Sequence, residues 1–135
     1  MPRCISFLPF VLVAVGCGHS SQFTWKIDDP VVMKSVLAEH VPHGTPVADA
    51  RRFMESEGFD CRECSNGSFI ERTWFGDREP RYDGIDFTDC DRVQNLGIYK
   101  GSFGGLLMSR NWRVALVNDG NAVTDILVSH YIDGP

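Results

Sequence analysis

Lysine is scarce in this chain. Only Lys26, Lys34 and Lys100 occur among 135 residues, and 13 Lys and Arg stand against 18 Asp and Glu for a net charge of −5. A phosphate-binding surface needs clustered cations. The densest basic stretch, Arg72, Arg78 and Arg81, is interleaved with Glu71, Asp77, Glu79 and Asp83 and reads as a solvated mixed-charge loop. Nucleic acid is therefore excluded as a partner. No apolar run approaches the roughly 20 residues that a membrane-crossing helix requires. A Gly-x-Ser-x-Gly elbow is missing too: Ser102 in Lys-Gly-Ser-Phe-Gly lacks the flanking pattern and a strand-to-helix turn. That leaves His130 as a sheet-face residue rather than a general base, and no two carboxylates are singled out as a glycosidase pair. Internal repeats and low-complexity tracts are lacking.

What is present begins at the start. Arg3 precedes an apolar stretch from Ile5 to Val15, interrupted by Ser6 and Pro9, which ends in Ala14-Val15-Gly16-Cys17. A basic start, a short apolar core and small residues before a cut are the parts of an export signal. Cleavage before Cys17 makes residues 1–16 the signal peptide and Cys17 the new first residue. Its thiol is the candidate lipidation site, and acylation by more than one chain supplies stable membrane attachment. Processing removes only Arg3 among the charged residues, so the mature chain is one charge more acidic. Residues 17–24 then form a lipidated tether and 25–135 one domain, a length that supports a single core.

With Cys4 removed and Cys17 acylated, Cys61, Cys64 and Cys90 remain, an odd count for an oxidising compartment. Cys61 shares strand parity with Phe59 and faces the core, whereas Cys64 adjoins the polar stretch Ser65-Asn66-Gly67. The expected disulfide joins Cys61 to Cys90, with Cys64–Cys90 as the alternative. Closing a loop of about 30 residues stabilises by roughly 3 kcal/mol in the chain-entropy account.

Asp28 or Asp29 caps a helix whose first turn accepts Pro30, with Val32, Val36, Leu37 and His40 or Val41 at helical spacing and Pro42 as the stop. Thr45 as N-cap and Pro46 at the first helical position open a second helix. Val47, Ala50, Phe53 and Met54 form its apolar face, and Gly58 ends it. Pro42-His43-Gly44 is short enough for a helical hairpin. Beyond Gly58 the period falls to two. Phe59 and Cys61, the turn pair Asn66-Gly67, and Phe69 to Phe75 predict a strand pair. Gly76 to Gly84 reads as an exposed loop before a strand from Ile85 to Cys90. Trp112, Val114 and Leu116 alternate into the core, Asn118-Asp119-Gly120-Asn121 turns the chain, and Val123, Ile126, Val128 and Tyr131 return it. Helices first and sheet afterwards predict an α+β fold: an N-terminal helical hairpin packed on an antiparallel β-sheet of about four to five strands.

Val41-Pro42-x-Gly44-Thr45-Pro46, Ala50, Met54-Glu55, Gly58-Phe59-x-Cys61, Cys90, Trp112-x-Val114-x-Leu116 and the closing Gly134-Pro135 together resemble a set of small, mostly uncharacterised bacterial lipoproteins. The layout of a Gly-Thr-containing helical hairpin feeding an antiparallel sheet is also similar to the BamE-like and β-lactamase-inhibitor-protein-like module. That resemblance implies binding to other proteins. The charged loop Arg72 to Gly84 departs from both patterns.

Cys61-Arg-Glu-Cys64 has redox-dithiol spacing but follows a helix C-terminus, where no dipole lowers a thiol pKa; a structural disulfide is the reading. His40 and His43 with Cys61 and Cys64 make a zinc set by residue type, against which stands the oxidising compartment. Asp83, Asp86, Asp89 and Asp91 suggest calcium, yet they straddle a strand rather than converge from a turn, so they read as a solvated strand edge. Trp74, Phe75, Arg78, Arg81 and Tyr82 are the candidate interaction residues, because aromatics and Arg are enriched at interface anchors. Neither a cofactor nor a catalytic residue is implied. The functional expectation is a lipid-anchored, non-catalytic protein-contact or structural module of the bacterial cell envelope. It faces the periplasm, and Gly18 after the acceptor cysteine favours the outer membrane. The alternative is an envelope enzyme or small-ligand binder with a scattered site.

Overall fold

The computed structural model describes residues 23–72, 79–101 and 104–133, with side chains outside 98–107. The signal segment, Cys17, Trp74, Phe75 and Arg78 lie outside the described residues. Helix α1 spans Pro30–His40, and the Asp29 carboxylate caps it by accepting from Val31 N at 2.7 Å and Val32 N at 3.2 Å. Its buried stripe is Pro30, Met33 and Leu37, continued by Val41. Val32, expected in that stripe, is exposed. Helix α2 spans Val47–Ser56. Pro46 occupies the cap position, and Thr45 donates its hydroxyl to Pro42 O at 2.6 Å instead of capping. Ala50 and Met54 face inward, and Gly58 reverses the chain at φ 88°.

Four strands follow in antiparallel order β1-β2-β3-β4: β1 Asp60–Ile70, β2 Arg81–Gly101, β3 Gly104–Asn118 and β4 Val123–Asp133. The expected hairpin of helices on a sheet is corrected here. Sheet dominates this α+β fold. The two short helices do not pair as the principal packing unit: α1 seats on β4, and α2 seats on β1 and β2. The strand pair expected to turn at Asn66-Gly67 is corrected as well. β1 runs straight through those residues with register shifts between Cys64 and Ser68, and Asn66 adopts φ 50°. The residue types that favour a tight turn here make a bulge. β2 begins at Arg81 and includes Asp83 and Gly84, which sequence placed in a loop.

One face of the sheet carries Cys61, Cys90, Trp112, Val114, Leu116, Ile126 and Val128 against Met33, Leu37 and Met54 from the helices. Each fully buried Leu, Met or Phe stabilises by about 1.5–3 kcal/mol relative to exposure. The opposite face buries Phe69, Phe87, Ala115 and Leu127, a cluster that among the described residues includes no helix residue. It does so by curling. The chain leaving β1 reaches β4, where His130 N donates to Arg72 O at 3.0 Å and Val128 N donates to Glu71 Oε1 at 3.1 Å. Val123 N also donates to Thr45 O at 2.8 Å, so the outer edge of β4 is covered at both ends.

Candidate functional site

Asp89 lies in the middle of β2, flanked by Arg62 of β1 and Ala115 of β3. Its carboxylate accepts from Arg113 Nε and Nη2 at 2.9 Å each, a fork-to-fork pair. The Asp89 side chain is 6% exposed and that of Arg113 39%. Arg62 donates to Asp91 and lies 3.6 Å from Asp89, so two carboxylates and two guanidiniums interlock. Burial raises the pKa of the Asp91 carboxyl; the neighbouring Asp89 charge adds to this, and Arg62 and Arg113 oppose it. The hydrogen bond to Asp89 raises the Arg113 guanidinium pKa further. The solvated strand edge read from these aspartates is thereby corrected for Asp89, while Asp83 and Asp86 are exposed. β2 is an inner strand, and Asp89 is buried.

Two adjoining clefts open on this face, of about 330 Å³ and 270 Å³, and both are lined by Arg113 and Tyr131. Asn111 and Val93 flank the first; Ser129 and Arg72 flank the second. Val93 is 62% and Tyr131 41% exposed. The arrangement is a fixed cation beside an exposed phenol and an exposed apolar side chain. It can pair with a carboxylate while covering adjacent apolar surface.

On the helix face a buried cation, Arg92, has a different role. Arg92 donates from Nη1 to Thr24 Oγ1 at 2.6 Å and to Glu57 O at 3.0 Å, and from Nη2 to Thr24 O at 3.1 Å. Its guanidinium lies 4.6 Å from the Trp25 ring centroid and 4.4 Å from that of Phe59. Burial pulls its pKa down to about 10, with the Glu57 charge opposing. Glu57 accepts from Thr24 N at 2.9 Å and Thr24 Oγ1 at 2.8 Å. These contacts clamp the first described turn onto α2 and β2. Thr24, assigned to the tether from sequence, is fully buried.

Among the other sequence candidates, Cys61 and Cys90 are direct cross-strand partners and form the disulfide, leaving Cys64 as a half-buried thiol. The zinc set His40, His43, Cys61 and Cys64 is not assembled, since Cys61 is bonded to Cys90 and the His40 ring stacks 5.1 Å from Phe53. Arg81 is exposed and donates to Asp83 at 2.9 Å. Tyr82 is half-buried against the second cluster, its hydroxyl donating to Glu71 Oε2 at 3.4 Å. Burial, then the Glu71 charge, raises its pKa. His130 is buried with its ring 4.2 Å from that of Trp112. Sequence reasoning missed Arg113, Asp89 as its anchor, and Tyr131 as an exposed neighbour. The signal available was strand parity: Arg113 falls on the face opposite Trp112. No helix among the described residues is long and apolar enough to cross a membrane. No family model, no curated protein and no solved structure matches this chain.

Proposed function

We propose that this chain is a lipid-anchored protein of the bacterial cell envelope, acylated at Cys17 and facing the periplasm, that acts as a non-catalytic module for contact with another envelope protein. The anchor reading is supported by the export-signal layout ahead of Cys17 and by the resemblance to small bacterial lipoproteins. The Cys61–Cys90 disulfide is in keeping with an oxidising compartment. The contact reading rests on Arg113, half-exposed and held by a buried carboxylate where two clefts meet beside Tyr131. A guanidinium fixed in advance loses little freedom on binding. The partner that fits is an extended protein segment presenting a carboxylate to Arg113 and an apolar side chain between Val93 and Tyr131.

A photo-cross-linking residue in place of Tyr131, expressed in the native envelope, tests this directly. One discrete adduct is expected, weakened by Val93→Asp and not formed from the same reporter at the exposed Val31 on α1. Equal labelling from both positions, or none from position 131, overturns the contact face.

A further inference from the structure

We propose that the segment received on the face opposite the helices is a chain end: the free C-terminal carboxylate of the partner sits on Arg113, and the apolar side chain third from that end sits between Val93 and Tyr131. This deepens the contact reading above and rests on it.

Arg113 carries five N–H donors, of which Asp89 occupies Nε and one hydrogen of Nη2. The remaining edge, Nη1 with the second hydrogen of Nη2, forms no hydrogen bond among the described residues, and Arg113 is the cation that both clefts share. Two parallel N–H groups on that edge match a second carboxylate as the first edge matches Asp89. The guanidinium also lies over the Phe69 ring, 5.2 Å from its centroid, so its position is set before a ligand arrives.

The charge of the second cleft singles out an anion. Its lining residues include Arg72 and Arg113 with the hydroxyl-bearing Ser68, Ser129 and Tyr131, and no Asp or Glu, in a chain whose net charge is −5. Arg72 pairs with Glu79 at 3.6 Å, but both side chains are exposed and such a pair is readily exchanged for a ligand.

The same cleft is closed at its far end. Arg72 O accepts from His130 N at 3.0 Å and Arg72 N donates to Ser129 Oγ at 3.3 Å, so the chain leaving β1 is tied to β4. Phe69, under the guanidinium, is fully buried with Phe87 and Leu127. A segment laid on the face from the Val93 side therefore meets a wall at Arg113, where a through-running backbone has to leave the sheet and a chain end does not. An extended chain ends in a carboxylate on its own axis, whereas its side chains stand roughly perpendicular to that axis. Val93, Asn111 and Tyr131 form one cross-strand row, two positions along β3 from Arg113. That is about 7 Å, the spacing that puts the side chain third from the end on this row when the terminal carboxylate is on Arg113. Capture of a terminal carboxylate is an established mode of peptide recognition.

The test uses the chain from residue 17 onward with Cys17→Ser, labelled with nitrogen-15, and follows the Arg113 Nε–H signal. The probe is a mixture of N-acetylated hexapeptides with leucine third from the end, the other positions randomised and the C-terminus free. The same mixture amidated, an amidated mixture ending in aspartate, and inorganic phosphate are the comparison arms. The free-acid mixture is expected to bind about tenfold more tightly than either amidated mixture, and to lose that advantage in Arg113→Lys, which keeps the charge but not the second edge. Aspartate in place of the leucine should weaken binding by a similar factor. Should Arg113→Lys misfold, the parent chain decides by itself. Equal binding of acid and amide, equal or tighter binding of the aspartate-ending amide, a response to phosphate without one to peptide, or no response at all overturns the proposal. Its failure is distinguishable from failure of the contact reading: a discrete adduct from position 131 without a free-acid preference keeps the contact and removes the chain end, and a free-acid preference without an adduct does the reverse.

Discussion

Arg113 of β3 and Asp89 of β2 are diagonal neighbours, Nε donating to one carboxylate oxygen and Nη2 to the other at 2.9 Å each, and only the arginine side of the pair reaches solvent. The aspartate is thus the support and the arginine the presented group. Asp89→Ala leaves the arginine without its holder and opens a void. A loss of about 2–3 kcal/mol in urea unfolding is expected. Arg113→Ala leaves Asp89 buried with only the more distant Arg62, and the loss should be no smaller. If the two single losses sum to the double-variant loss within about 0.5 kcal/mol, the pair is not coupled.

Arg92 binds the start of the described chain to the sheet. Arg92→Met keeps the stem between Trp25 and Phe59 but removes three hydrogen bonds to Thr24 and Glu57. Destabilisation of about 2–4 kcal/mol is expected. Limited proteolysis should then cut near Phe23 to Ile27 before the strands open. Resistance equal to that of the parent chain contradicts the clamp.

Gly67 sits where the β1 bulge presses on Cys64 and Phe87. A Cβ there meets Cys64 Sγ at 2.5 Å and Phe87 Cε1 at 2.9 Å. Gly67→Ala is expected to cost about 1–3 kcal/mol by overpacking. Adding Cys64→Ala should restore part of the loss, since it removes the nearer clash. Thermal unfolding of both variants checks this.

His130 gives the fold a pH dependence. Burial, reinforced by Arg110, lowers its pKa below the usual 6.5, and Asp28 and Asp29 oppose more weakly. The unfolded chain therefore binds a proton that the native state resists. Stability from this group is fully present above pH 6.5 and declines as pH falls through that value toward the folded-state pKa. The urea midpoint should drop between about pH 7.5 and about pH 5. His130→Phe should flatten that part of the slope; an unchanged slope shows that other groups govern it.

Much of this arrangement was legible in the residues. Asp29, Pro30, Pro42 and Gly58 mark helix ends by backbone rules that act locally. The β3–β4 turn follows from Asp119, whose Oδ1 accepts from Asn121 N and Ala122 N at 2.9 Å each. Core parity placed Cys61 opposite Cys90. Two things were not legible. A bulge and a tight turn both use residues tolerant of positive φ, so Asn66-Gly67 could not distinguish a strand that ends from one that bends. The burial of Asp89 depends on Arg113, 24 positions away, and on a curl that brings Arg72 to β4. Read along its own strand, Asp89 looks like a surface carboxylate.

Attachment at Cys17 is the claim on which compartment and disulfide converge, and the intact mass of the protein extracted from the native membrane fraction tests it most directly. A chain beginning at Cys17 and carrying fatty acyl mass on that residue is the expected result. An unacylated chain that retains residues 1–16, recovered with the membranes or from the soluble fraction, contradicts the account.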